Sequence, residues 1–271
     1  MAPALILSSF VAANRIGGGA QVLALGAMGI DAYLAPTTLL GRNPAKGAAG
    51  QETSPDLFQG LIDGLEAEGL LAQAGLVVTG YFASAAQVGV AADVLAKVRA
   101  QGTGAIIVVD PILGDHPKGL YVKPEVAEAV AARLVPAADW ITPNAWELGW
   151  LTRREIRSAA DAVGAARGLG ARALVTSVPV GPDEIGLALW DGDEARLIAH
   201  PRRPSAPNGT GDLTTAVFAG ALTKGPSAAA ELAAFATARM IDAAGDGDLP
   251  LSILGEVLRG RIEGLRVQPL A

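Results

Sequence analysis

The chain has 271 residues, of which 51% are hydrophobic, 18% charged and 4% aromatic, and the net charge is −6. That length suits one large α/β domain, and the apolar share excludes a disordered chain. No Cys and only two His exclude a disulfide scaffold, thiolate-held metals and a multi-histidine site, while the acidic balance and few aromatics argue against nucleic acid as a partner.

The mean hydropathy of +0.36 is spread along the chain, so no membrane partner is expected. Met1 to Ala13 is apolar, but the first cation, Arg15, follows it. This segment reads as a buried strand, and a cytoplasmic location follows, with secretion as the alternative.

Short β-rich runs alternate with Ala-rich helical stretches. Ala4–Ser8 is a predicted strand, Gly17–Met28 a helix and Ile30–Pro36 a strand. Thr37–Thr53 lacks periodicity and reads as a loop. Pro55–Glu68 places Leu57, Phe58, Leu61, Ile62 and Leu65 at the spacing of one helix face, with Ser54 as its cap. Leu76–Thr79 (strand), Ser84–Ala100 (helix) and Ala105–Val109 (strand) follow. The continuous apolar strands suit a parallel sheet covered on both faces.

Further on come Pro124–Leu134 (helix), Trp140–Thr142 (strand), Ala145–Leu151 and Ser158–Leu169 (helices) and Ala173–Thr176 (strand). Ile185–Trp190 and Ala195–Ala199 flank Asp191-Gly192-Asp193, a strong hairpin signal. Helices from Gly211, Ser227 and Leu251 complete the chain. The pattern predicts an α/β fold of three αβα layers. Its central sheet is mostly parallel with an antiparallel edge hairpin, in one domain over residues 1–271.

Ligands of open α/β sheets bind beyond the carboxyl ends of the strands. Ser8-Ser9, Thr37-Thr38, Gly80-Tyr81, Asp110-Pro111, Pro143-Asn144 with Glu147, and Ser177 stand at such ends. The sharpest element is Asn208-Gly209-Thr210-Gly211-Asp212-Leu213 before an apolar helix. Its glycines and the helix N-terminus would form an anion hole for a phosphoryl group. Asp212, in the first turn, could take a proton from an attacking hydroxyl. A plain helix cap is the alternative. Asp110 could orient a magnesium ion through water, or simply start a turn. Asn144 and Glu147 could touch phosphate and magnesium, or form a capping pair.

His116, His200, Arg202-Arg203 and the four Trp read as loop, structural, solvated and core or interface residues, respectively. Gly17-Gly18-Gly19 lacks the G-x-G-x-x-G spacing, so NAD is not expected.

Together, VVDPILGD (108–115) with Leu120-Tyr121-Val122, TPNAWEL (142–148) and NGTGDL (208–213) resemble the ribokinase-like superfamily. With MGIDAYLAPTTLL (28–40) and TGYFAS (79–84), they resemble its pyridoxal kinases across nearly the whole chain. The resemblance implies a ribokinase-like fold and ATP-dependent phosphorylation of the 5'-hydroxymethyl group of pyridoxal, pyridoxine or pyridoxamine. It implies Asp212 as catalytic base and Gly209, Thr210 and Gly211 as anion hole. Asp110, Tyr121, Asn144, Glu147, Thr176 and Ser177 would meet ATP, with Asp110 and Glu147 near Mg2+. Ser9, Thr38 and Tyr81, with Asp212, would hold the substrate. A homodimer and a monovalent cation such as K+ are further implications.

The substrate half departs from the family at Phe10–Arg15, Gly17–Gly19 and Gly41–Pro44. Alternatives are a kinase of another small alcohol, such as a hydroxymethylpyrimidine, and a non-catalytic vitamer- or nucleotide-binding protein.

Overall fold

A computed structural model of the chain describes residues 2–47 and 49–270. Strands β1 (Ala4–Val11), β2 (Ala32–Leu40), β4 (Leu76–Thr79), β5 (Ile106–Val109), β8 (Trp140–Ile141) and β9 (Ala173–Pro179) run parallel, in the order β9-β8-β5-β4-β1-β2. Antiparallel strands extend both ends. β3 (Gly50–Glu52) pairs with β2. On the other side β10 (Glu184–Trp190), β11 (Ala195–Pro201) and β12 (Arg266–Leu270) follow β9.

Alternate residues of the central strands enter different cores, as the strand period of two requires. Leu5, Leu7, Val77, Ile107 and Val109 pack on one face with Phe58 and Ile62 of α2 (Pro55–Ala67). Val88 of α4 (Ala85–Ala100), Leu148 of α6 (Ala145–Thr152) and Val163 of α7 (Ala159–Leu169) join them. Ala4, Ile6, Val78 and Val108 pack on the other face. Their partners include Ala20 of α1 (Gly17–Ala27), Phe218 of α8 (Thr210–Ala221) and Leu232 of α9 (Pro226–Ala244). The result is the three-layer αβα architecture read from the sequence.

Several expectations need correction. β1 runs on to Val11 and β2 to Leu40, and β3 folds back on β2, so the expected loop is confined to the stretch between two paired strand ends, Thr38–Leu40 and Gly50–Glu52. Thr38 therefore lies inside a strand. A short hairpin, β6 (Gly114–Asp115) with β7 (Gly119–Leu120), and the helix α3 (Leu70–Gln73) were not foreseen. α5 (Pro124–Ala129) continues into a π-helical turn through Leu134, so the helix expected there ends in wider winding. The β10–β11 hairpin is not the edge, because β12 pairs outside it beyond α10 (Leu254–Arg259). On α2, Phe58 and Ile62 are buried, whereas Leu57 and Leu61 face outward.

Strand order reverses at β1: the chain leaves it toward β2 and returns on its other side as β4. Ser9, near the carboxyl end of β1, and Tyr81, just beyond β4, stand at this switch point, where a crevice opens at the carboxyl ends. Among the described residues, no helix is long and apolar enough to cross a membrane.

Candidate active site

One cleft of about 1090 Å³ runs along the carboxyl ends of the strands, and every site residue selected from the sequence lines it. A separate cavity of about 380 Å³, between the β1–α1 loop and residues 248–252, contains none of them.

Two of the selected pairs sit at irregularities in the sheet. The β1–β2 register shifts between Ser8 and Phe10, opposite Thr37 and Thr38. The β9–β10 register shifts at Thr176 and Ser177, where Ser177 has φ 56. Such bulges turn side chains out of the pleat and concentrate beside ligand sites, and a left-handed Ser is held only by its surroundings.

At the start of α8, Gly209 has φ 94, and the next residues begin the helix with Asp212 in its first turn. The first N–H groups of a helix have no partner within it and carry the positive end of its dipole. Asp212 is 6% exposed. Its Oδ2 accepts the Gly17 N–H at 2.8 Å, and its Oδ1 is buried with no hydrogen-bond partner. Burial pushes its carboxyl from the ordinary 3.8 up to about 6, against the lowering effect of the Gly17 N–H. This carboxylate is oriented by one oxygen and open at the other, as a proton acceptor requires.

Gly17 was not selected as a functional residue. Its φ is +64, and a Cβ there would lie 2.2 Å from Ser9 Oγ. The triple glycine is thus a steric requirement at its first member, where α1 begins and points an N–H at Asp212.

Asp110 is also buried, and its Oδ2 accepts from Thr215 Oγ1 at 2.8 Å. Burial, then the negative charges of Glu147 and Asp212, hold its carboxyl well above the usual range. Asn144 and Glu147 form the capping box that was the alternative reading. Asn144 Oδ1 accepts the Glu147 N–H and Glu147 Oε2 accepts the Asn144 N–H, both at 2.8 Å. Glu147 Oε1 also accepts the N–H groups of Leu113, at 2.7 Å, and Gly114. Glu147 therefore braces the base of the β6–β7 hairpin against α6. Burial raises its pKa, opposed by these three N–H groups. Tyr121, beyond that hairpin, is 49% exposed, and burial of the rest with the nearby Asp115 carries its phenol to about 12.

At the other end, Thr38 Oγ1 is buried without a partner. The Tyr81 carbonyl accepts from Thr37 Oγ1 at 2.6 Å, and its N–H donates to Ser8 Oγ at 3.3 Å. Gln87, absent from the sequence selection, ties this end together. Its Oε1 accepts the Ala83 N–H at 2.9 Å, and its Nε2 donates to the carbonyls of Thr37 and Thr53. Gln87→Leu would leave these buried groups unpaired, at a cost of about 2–4 kcal/mol. Chemical denaturation should show that loss, and steady-state kinetics should show KM for the hydroxyl substrate rising more than KM for nucleotide.

The expectation of a solvated Arg202-Arg203 pair fails for Arg203. Its Nε and Nη2 donate to both Asp242 oxygens at 2.8 and 2.7 Å, and its Nη1 reaches the Pro201 carbonyl and His200 Nδ1. This clamp joins β11 to α9 and fixes the upstream end of the segment leading to Gly209. Arg–Asp pairing across 39 residues leaves no local sequence signal. His116 is exposed, and none of the four Trp lines the cleft.

Fold and cleft place the chain among α/β kinases with a glycine-rich anion site at a helix start. The family model described as phosphomethylpyrimidine kinase matches residues 17–244, and the chain belongs to this family. A pyridoxine/pyridoxal/pyridoxamine kinase of Bordetella avium is 35% identical over 229 residues, covering 82% of this chain and 77% of that protein. A pyridoxal kinase of Deinococcus radiodurans is 31% identical over 238 residues, covering 83% and 80%. The crystal structure of pyridoxal kinase from Entamoeba histolytica superposes with a TM-score of 0.91 at 25% identity, over 99% of both chains. The resemblance read from the sequence motifs is borne out.

Proposed function

We propose that the chain is an ATP-dependent pyridoxal kinase, transferring the γ-phosphoryl group to the 5'-hydroxymethyl group of a B6 vitamer. The observation that carries this reading is the position of Asp212. Its side chain, with one oxygen free of any hydrogen bond, lines one cleft together with the anion-binding helix start and with Ser9, Thr38 and Tyr81. The hydroxyl oxygen forms the new P–O bond, the bond from the γ-phosphorus to the bridging oxygen breaks, and ADP leaves. Asp212 accepts the hydroxyl proton and later releases it to solvent. The N–H groups at the start of α8 stabilise charge on the transferring group. Thr176, Ser177, Asn144 and Tyr121 are proposed to bound the ATP site, and Lys118 adds a cation to the same lining.

Among the described residues, no group of three or more His, Cys, Asp or Glu gathers as a metal cage. Asp110 nonetheless offers hard oxygen, which fits Mg2+, an ion that keeps waters and borrows phosphate oxygens. Asp110 would hold it through water. Glu147, with its oxygens committed to N–H groups, would contribute charge. The ion would supply neutralisation of phosphate charge. A monovalent cation such as K+ is kept as part of the proposal on the family resemblance alone.

The purified protein with ATP, magnesium and pyridoxal, followed by the absorbance of pyridoxal phosphate, tests the reading. A hydroxymethylpyrimidine runs in parallel, because the matching family model is described as a phosphomethylpyrimidine kinase. Turnover of the pyrimidine alone would replace pyridoxal as substrate. Binding of both without turnover would replace the kinase by a binding protein.

A second copy of this chain is the proposed partner. Leu57 and Leu61, one turn apart, form an exposed apolar stripe on α2, 55% and 36% accessible, and Leu39 on β2 is exposed as well. Side chains of this kind at helical spacing mark a contact surface. Analytical ultracentrifugation should give a dimer that Leu57→Glu dissociates. A wild-type monomer at micromolar concentration would refute it.

A further inference from the structure

The substrate end of the cleft carries one charged side chain that phosphoryl transfer does not use. Glu52 ends β3, and its antiparallel register sets it directly opposite Thr38. Directly opposed residues project from the same face, with Cβ atoms about 5 Å apart. Both line the cleft. Tyr81 completes the group, its phenol held above the ordinary value by burial and then by the negative charge of Glu52.

Glu52 is exposed, and no ion pair among the described residues includes it. The cations of the lining, Lys118, Arg202 and Arg203, belong to the β6–β7 hairpin and the β11–α8 connection. The cations of the lining thus stand on the nucleotide side, interspersed with Asp110, Asp115 and Glu147, whereas Glu52 sets a carboxylate free of ion pairs among the described residues beside Thr38 and Tyr81, in the pocket assigned to the ring. Thr38 Oγ1 can donate to or accept from a neutral ring substituent and does not discriminate by charge.

We propose that Glu52 sets vitamer preference, favouring the vitamer whose exocyclic arm is an ammonium group, pyridoxamine, over the neutral pyridoxal and pyridoxine. An ammonium beside a carboxylate gains a charge-assisted hydrogen bond that an aldehyde or hydroxymethyl group does not. The carboxylate reaches the pocket from an exposed edge strand, so the preference is moderate and falls with salt. This inference rests on the pyridoxal kinase reading.

The test compares kcat/KM for pyridoxamine, pyridoxal and pyridoxine in wild type, Glu52→Gln and Glu52→Asp. At low salt, wild type should prefer pyridoxamine to pyridoxine by about fivefold. The preference should lie in KM and shrink as salt is raised. Glu52→Gln should remove it while leaving the neutral vitamers within about twofold, and Glu52→Asp should retain part of it. Equal losses for all three vitamers, or a preference unchanged by Glu52→Gln, would overturn the proposal.

Calorimetric titration of the wild type and Glu52→Gln with pyridoxamine and with pyridoxine, without ATP, separates this inference from the reading beneath it. Absence of turnover on every vitamer overturns the kinase reading. Selective binding of pyridoxamine that Glu52→Gln abolishes would still uphold Glu52. Binding of the two vitamers with equal affinity would overturn it.

Discussion

Asp212→Asn is expected to lower kcat by about a thousandfold while leaving ATP binding intact and making the folded protein more stable. The three effects have one origin. The Asp212 carboxyl is buried and raised to about 6, with one oxygen on the Gly17 N–H and the other unpartnered. Asparagine keeps an acceptor for Gly17 but cannot take a proton. The sign of the stability change follows from the raised pKa. Below about pH 4 the group is protonated in both folded and unfolded states and contributes nothing. Above about pH 6 it is ionised in both, and the folded state bears the cost of a buried charge. Removing the charge should therefore stabilise on the order of 1–3 kcal/mol in that alkaline range, the lower value allowing for an unpaired amide N–H. Thermal melts at both ends of the pH range read this directly. The same ionisation predicts that wild-type kcat/KM falls on the acid side with an apparent pKa of about 6, because the protonated carboxyl cannot act as base. The Asn variant should lack that limb. Turnover retained above a few per cent, or ATP binding lost with it, would remove Asp212 from the role of base.

What the sequence made legible was whatever the chain states locally. The apolar runs at 76–79 and 105–109, buried on both faces apart from a half-buried Ile106, could hardly be anything but central strands. The Asn208–Leu213 segment names its own conformation through two glycines and a helix start. Strand ends were legible too, because polar residues there are forced outward to the crevice. β3 and β12 escaped notice because each is defined by its partner: Gly50–Glu52 and Arg266–Leu270 are mostly exposed and carry no hydrophobic alternation. The same holds within the site. Gln87 and Arg203 act on groups 34 or more residues away, apart from their near neighbours. Gly17 acts by having no side chain. Asn144 and Glu147 show the opposite limit: three residues apart, they announced both a cap and a ligand pair, and the cap is what their hydrogen bonds realise.

The contrast between Gly209 and Gly211 gives the sharpest test of how the anion site is held. Gly209→Ala is expected to destabilise the fold by about 3 kcal/mol or more and to cost at least about a hundredfold in turnover. At φ 94 an L residue is strained, and a Cβ would stand 2.1 Å from the Arg15 carbonyl oxygen. That oxygen is backbone, and its segment is tied down by Asn14 Nδ2 donating to Asp248 Oδ1 at 2.7 Å. Neither side can yield without moving the start of α8, which carries Asp212. Gly211 has no positive φ and nothing within 4 Å of its Cβ position. Gly211→Ala should therefore keep or slightly raise stability, by up to about 1 kcal/mol, as expected of a helical Gly. Any loss of activity in that variant would come from a methyl group projecting into the cleft, and should appear as weaker ATP binding without a lower melting temperature. Equal melting temperatures for the two variants would mean that Gly209 is not wedged against residue 15, and that the two glycines serve the anion site in the same way.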